Sequence, residues 1–409
     1  MSPTKISAEP IAIATPSVSL WTIFAAYLQV GLTAFGFAIL QKLKALVLTR
    51  HWLNEEEMND GLALVQLYPG PIMVDFTAYA GYKLRGVAGA LAATVGFILP
   101  TTVLMLVLSS LYFATGQLPW VKPIFVGLEA LVIGIILDVT LDFGKRSVKG
   151  RVEALIALAS FAALVFKLNA ILIVLLALAL GAIFLRPPKS SQLGTNSPTP
   201  SLGTARSQTH WLGIGLVVLV VLAGVGFSMA LSSPVGRASL SFFKIGAVAF
   251  GNGMTILPLI QADAVDSFHW LNVNEFVDGI ALSQITPGPF LVISTFIGYK
   301  LGGVWAALLT TFAMFAPSFA MTLIFTEIFS RVKDLTAVKG ALAGVLAAFV
   351  GLLASVLLQL GKVGIVSPMT LVFAASAFIA VRYFKLDILW VFLAGLIVWG
   401  GLLALGWTI

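Results

Sequence analysis

Two stretches of the chain carry the same uncommon side chains at the same spacing. His51-Trp52-Leu53-Asn54, Glu57, Asp60, Gln66 and Pro69-Gly70-Pro71 recur as His269-Trp270-Leu271-Asn272, Glu275, Asp278, Gln284 and Pro287-Gly288-Pro289. Between residues 51–71 and 269–289 there are 13 identities in 21 positions at one fixed offset. After a one-residue gap the match resumes with Gly81-Tyr82-Lys83-Leu84 against Gly298-Tyr299-Lys300-Leu301, and continues to Pro100 and Pro317. Upstream, Phe35-Gly36 matches Phe250-Gly251. Generic apolarity does not put Trp, Asn, Gln and Pro in register, so the chain contains an internal repeat.

Pro-Gly-Pro is the part of the repeat with the clearest chemistry. Pro69 disfavours helical geometry at Tyr68 and ends one half-helix. Gly70 permits unusual dihedrals. Pro71 suits the first position of the next half-helix, where its missing N–H is not needed. The amides of Ile72, Met73 and Val74 then face the break, as do those of Phe290, Leu291 and Val292 in the second copy. Unpaired N–H groups and the positive helix end form an anion seat. A simple kink is the bland alternative, but a kink needs one Pro, not the same tripeptide in both copies.

The other repeated groups divide by depth. Asn54 with Glu57, and Asn272 with Glu275, fit the capping box of a helix start. Asp60 and Asp278 lie about one turn further in, as interfacial charges or as proton-linked carboxyls. Gln66 and Gln284 stand three residues before the break, placed to contact a substrate or brace the opened backbone. Asp75 follows the first Pro-Gly-Pro and has no acidic counterpart in the second copy; it opposes an anion unless protonated or paired. Glu57, Asp60, Asp75, Glu275 and Asp278 are therefore the coupling candidates. Lys44 and Lys244 are candidates for adding positive potential to the site. Lys83 and Lys300 read as snorkelling ends. A membrane enzyme using Glu57, Asp60 and His51 with Glu275, Asp278 and His269 is an alternative, but this spacing matches no metal motif. No metal, no cofactor and no catalytic group are expected.

The elements that must hold these groups are apolar. Of 409 residues, 59% are hydrophobic and 10% charged, against roughly 25% charged in a soluble domain, and the mean hydropathy is +1.03. Runs of about 20 apolar residues, enough to cross a bilayer, recur throughout. The expectation is an all-α polytopic membrane protein. A tail covers 1–19, a first repeat 20–185, a polar linker 186–210, a connecting helix 211–231 and a second repeat 232–409. Expected spans are 20–40, 57–84, 87–114, 124–141, 152–167, 169–185, 211–231, 238–261, 275–301, 303–329, 340–360, 366–381 and 386–408, about thirteen. The segments broken by Pro-Gly-Pro fit either one discontinuous crossing or a re-entrant hairpin. Six spans plus the connecting one make seven, so the second repeat is inverted relative to the first, and a transporter of that kind binds its substrate where the repeats meet. The charge of +7 fits basic cytoplasmic loops and not nucleic-acid binding. It favours an inside N-terminus, although Lys42, Lys44 and Arg50 count against that placement. Absence of Cys excludes thiolate and disulfide chemistry.

These motifs resemble the chromate ion transporter family in its long, two-domain form. The residues that carry the resemblance are Phe35-Gly36, Trp52, Ala63-Leu64-x-Gln66-x-x-Pro69-Gly70-Pro71, Gly81, Gly86, Gly89 and Pro100. The second copy has Phe250-Gly251-Asn252-Gly253, Trp270, Ala281-Leu282-x-Gln284-x-x-Pro287-Gly288-Pro289, Gly298, Gly303 and Pro317. The first copy departs from the family's Gly-Gly-Pro with Gly36-Phe37-Ala38, and the second has Asn252 in place of a Gly. The resemblance implies a multi-pass protein of the bacterial inner membrane that exports chromate, with sulfate as a related oxyanion. It points to Gly36, Gly251 and Asn252 as pathway-lining positions. Its partners are then an oxyanion and the lipid bilayer, with a homodimer left open. A negative interior favours export, by about 2.3 kcal/mol per charge per 100 mV. An anion channel of the same architecture is the alternative.

Overall fold

The computed structural model describes residues 18–36, 38–115, 121–185, 211–251, 253–332 and 336–405. Most of the expected tail, the linker 186–210 and Asn252 lie outside the described residues. Every regular element among the described residues is helical.

The first repeat opens with α1 (Leu20–Thr33) and α2 (Ala38–Thr49). The apolar run 20–40 is thus not one helix. Gly36, in the left-handed region at φ 49°, turns the chain back. Hydropathy does not register this, because Ala34-Phe35-Gly36-Phe37-Ala38 is as apolar as the helices beside it. Lys42 Nζ donates to Thr33 O at 2.5 Å, and the Tyr27 and Trp52 rings lie 6.1 Å apart. Both contacts pair residues on opposite sides of the turn, so α1 and α2 form a hairpin.

A second hairpin follows from α3 (Glu55–Leu64) into α4 (Ile72–Thr115). The capping box forms as expected: Glu57 N donates to Asn54 Oδ1 at 2.8 Å and Asn54 N to Glu57 Oε2 at 3.1 Å. Three Glu in the first turn favour the positive helix end. Tyr79 Oη of α4 donates to Glu57 O at 3.0 Å, and Gly61 packs against the Tyr79 ring. The two arms therefore run side by side away from Pro69-Gly70-Pro71. Gly86, at φ 58°, then reverses α4 upon itself, and Gly81 packs on Gly89 across that bend. Beyond it, residues 87–115 continue for about 43 Å, enough to cross a bilayer.

The repeat ends with α5 (Lys122–Ser147), α6 (Arg151–Val165) and α7 (Ala170–Phe184); α8 (Trp211–Ala230) joins it to the second copy. That copy runs α9 (Pro234–Val248), a 3₁₀ turn Gly253–Ile256, α10 (Leu257–Gln261) and a π-helical turn Ala262–Ser267. It then runs α11 (Val273–Ile285), a 3₁₀ turn Phe290–Val292, α12 (Ile293–Val332), α13 (Thr336–Gly364), α14 (Pro368–Arg382) and α15 (Ile388–Ala404). The expected span 238–261 also divides, with Gly251 at φ 86°. The hydroxyl of Ser241 donates to the Asp263 carboxylate across the turn. In the next hairpin Lys300 Nζ meets Glu275 at 2.6 Å, and Gly279 packs on Phe296. Of the two arrangements open for the Pro-Gly-Pro segments, the folded-back one is observed in both copies.

Local details repeat as well. His51 and His269 both take left-handed dihedrals, φ 52° and 53°. Gly31 packs on the Phe97 carbonyl and Gly246 on that of Met314. Small residues let these backbones approach closely where lipid offers no hydrophobic drive. Ile72–Thr115, Lys122–Ser147, Trp211–Ala230, Phe290–Ile328 and Val338–Gly364 are long and apolar enough to cross a membrane. Leu20–Thr33, Ala170–Phe184, Pro368–Arg382 and Ile388–Ala404 are shorter apolar helices.

Candidate functional site

The hairpin tips converge. Gly288 N donates to Ala34 O at 2.9 Å, tying the second Pro-Gly-Pro to the first turn of the other repeat. Thr101 of α4 donates its hydroxyl proton to Pro287 O. On the equivalent diagonal, Gly70 and Pro71 line, with Ala249, Phe250, Gly251, Gly253, Ile256 and Leu291, a crevice with about 130 Å³ of empty space. Gly70, Pro71, Gly251 and Leu291 were expected at the site; the crevice brings them together. Gly36 belongs to the first tip, where a Cβ would face Asp387, the N-cap of α15, and Ile388.

The helix starts behave differently in the two copies. After the first tip Pro71 acts as the cap, its carbonyl accepting from Asp75 N at 3.0 Å. After the second, Pro289 caps a 3₁₀ turn before the α-helix begins. Ile72, Met73, Phe290 and Leu291 thus occupy first-turn positions, whereas the amides of Val74 and Val292, expected to be unpaired, donate to Pro71 O at 2.9 Å and Pro289 O at 3.4 Å.

Asp75 is fully buried and folds back to its own helix start, where a side chain on Gly70 would strike the carboxyl. The hydroxyls of Ser318 and Thr322 lie beside it. These hydroxyls donate to Phe315 O at 3.2 Å and Ser318 O at 2.9 Å, which leaves both carboxyl oxygens without a well-formed hydrogen bond. Tyr68 Oη donates to Thr322 Oγ1 at 2.7 Å and completes the polar cluster. The carboxyl thus lies at the start of its own helix, beside Gly70.

The remaining expected residues scatter. Gln66 is exposed and donates to Leu62 O at 2.8 Å, bracing its own helix. Gln284 is half-buried and its Nε2 has no partner. Glu57 and Glu275 serve as capping groups. Asp60 is exposed, whereas Asp278 is 5% exposed. Lys44 is half-buried, and Lys244 is exposed with Asp263 nearby. Among the described residues no group of three His, Cys, Asp or Glu could hold a metal ion.

Three relevant positions escaped sequence reasoning. Thr101 and Ser318 each follow the repeated proline of their long helix, so a hydroxyl at matched positions was the available signal. Glu129, 3% exposed within the apolar α5, is an intramembrane acid, which by default marks function.

The chromate transporter family model matches residues 21–182 and again 237–400. An uncharacterized transporter of Methanocaldococcus jannaschii is 30% identical over 83% of this chain and 84% of its own. A chromate transport protein of Cupriavidus metallidurans is 29% identical over 91% of this chain and 90% of its own. One from Pseudomonas aeruginosa is 28% identical over 97% and 96%. No solved structure matches the chain.

Proposed function

Because the chain belongs to the chromate transporter family, and so is a membrane transporter, we propose that it is a secondary carrier exporting chromate or a similar tetrahedral oxyanion such as sulfate. The observation that carries this reading is the meeting of hairpin tips from both repeats, tied by Gly288 N to Ala34 O. Residues of Pro-Gly-Pro turns and first-hairpin turns from opposite repeats line one small crevice. Rocking of the repeats would open it to one side at a time, the behaviour of a carrier and not of an open channel.

The membrane arrangement is part of the proposal. Residues 87–115, 304–332 and helices α5, α6, α7, α8, α13, α14 and α15 make nine crossings. The four hairpins enter and return, replacing the thirteen crossings that hydropathy alone suggests. Hairpins of the first repeat then enter from one face and those of the second from the other. The contact of Arg85 Nη1 with Val18 O at 3.2 Å supports a common base for the first two hairpins, as does Gly213 packing on Val87. Arg50, at the open end of the first hairpin, then falls with Arg85, Lys149 and Arg151 on the basic, cytoplasmic face, whereas Lys42 lies near the tip beside Thr33. The native chain has no Cys, so single cysteines report sidedness cleanly. Arg50→Cys and Lys149→Cys should react with an impermeant maleimide from the cytoplasmic face, and Lys362→Cys from the other. Labelling of Arg50→Cys from outside would show that the first hairpin crosses.

Transport itself is tested with labelled chromate and everted vesicles. Uptake should saturate, be competed by excess sulfate, and fall to the empty-vesicle level in the Pro69→Ala/Pro287→Ala double variant. Native vesicles indistinguishable from empty ones would remove chromate as the substrate.

A further inference from the structure

A second acidic cluster lies away from the tips, between the repeats. Tyr112, near the end of α4, donates from Oη to Asp278 Oδ2 at 2.6 Å. Asp278 Oδ1 has no donor. Glu129 of α5 lies with its carboxyl within hydrogen-bond reach of Asp278. Both acids are almost wholly buried, and neither forms an ion pair within 4 Å among the described residues.

Two carboxylates hold no hydrogen between them, since each is an acceptor only. One shared proton gives Asp278 Oδ1 its missing donor and removes one of two like charges from an apolar place. We propose that Glu129, Asp278 and Tyr112 form a proton-binding site that couples a proton to movement of the second Pro-Gly-Pro hairpin. The proposal rests on the carrier reading. Asp278 rides on α11, an arm of that hairpin, whereas Glu129 and Tyr112 belong to long helices of the other repeat. A proton clasps the arm to the first repeat; its loss leaves two like charges that push the arm away.

The surroundings leave the proton as the ion. Glu275, one turn earlier on α11, also faces the cluster, and it is held by Lys300 of α12 at 2.6 Å. From α13, Gly364 passes beside Glu129, and the nearby Lys362 is exposed. The walls are the rings of Phe113, Phe125 and Phe296, each within 5.2 Å of the Tyr112 ring centroid. With Glu275 held by Lys300, no third free carboxyl completes a shell for a metal cation, and the described residues contain no such group of three.

The test begins without chromate. Infrared difference spectra of the purified full-length protein between acidic and alkaline buffer should contain a protonated-carboxyl band. The part of the band that remains in Asp75→Asn, which removes the other buried carboxyl, should vanish when Glu129→Gln or Asp278→Asn is added and shift with Tyr112→Phe. Next, chromate uptake by everted vesicles is followed at zero membrane potential with an imposed pH gradient. The native rate should follow the gradient. Both single variants and their combination should transport without responding to it, the double being no worse than either single. A band that survives in both variants overturns the site. A band lost while variant flux still follows the gradient overturns the coupling. Absence of native chromate flux overturns the carrier reading alone, because the spectra decide the proton site separately.

Discussion

Gly288→Val should lower saturable chromate uptake by roughly 10²-fold while the protein still reaches the membrane. Gly288 stands at φ 94°, where a Cβ costs about 1–2 kcal/mol. That Cβ would also run into the Thr101 hydroxyl, adding about 1–3 kcal/mol of overpacking. Since about 1.4 kcal/mol is tenfold in rate, the sum places the loss near two orders of magnitude. The strain falls on the state in which the tips meet, with Gly288 N on Ala34 O, so flux suffers more than insertion. Combining Gly288→Ala with Thr101→Ala should recover part of the loss by removing the overlap but not the dihedral strain. Native-like uptake by Gly288→Val, measured at equal membrane abundance, would mean that the tips do not meet during transport.

Asp75→Asn should strongly flatten the pH dependence of the half-saturation concentration of chromate. The carboxyl of Asp75 lies at the helix start that an anion would use. When ionised, it repels a dianion about 6 Å away by roughly 5 kcal/mol at an effective dielectric near 20. Protonation lifts that repulsion, so chromate and the proton favour each other's binding in the native protein. Asparagine keeps the shape and discards the charge. Uptake kinetics at several pH values, equal on both sides of the vesicle membrane, provide the measurement. A variant whose half-saturation still moves with pH as the native one does would free Asp75 of this role.

The repeat made much of the fold legible. Pro-Gly-Pro at matched positions marked both helix breaks, and Asn54 and Asn272 marked the helix starts that follow the corners. The first hairpin of each repeat was harder to see. Its turn in the first copy is made of Phe, Gly and Ala, and the left-handed dihedral of Gly36, matched by Gly251 in the second, distinguishes it from the apolar helices on either side. The site was legible at its tips and not at its walls. Gln66, identical in type to Gln284, faces outward, because identity within a repeat fixes backbone position and not the neighbours supplied by the other copy. Asp60 and Asp278 differ for the same reason: Tyr112 and Glu129 reach only Asp278. Such pairings between distant segments leave no periodic trace in the chain.

The short arms of the hairpins bear on how the protein is made. The arm α3 spans about 15 Å, too little to bridge a bilayer, and its tip exposes backbone groups that lipid cannot satisfy. In the proposed membrane arrangement such a hairpin would not be released sideways into lipid as a finished helix during synthesis. It must wait near the membrane surface until long helices have built a protein-lined slot. For the first Pro-Gly-Pro that slot includes Ser318 and Thr322 of α12, which the ribosome adds more than two hundred residues later. Completion of the first repeat would thus wait for much of the second, and the early chain depends on its own later remainder to become a transporter.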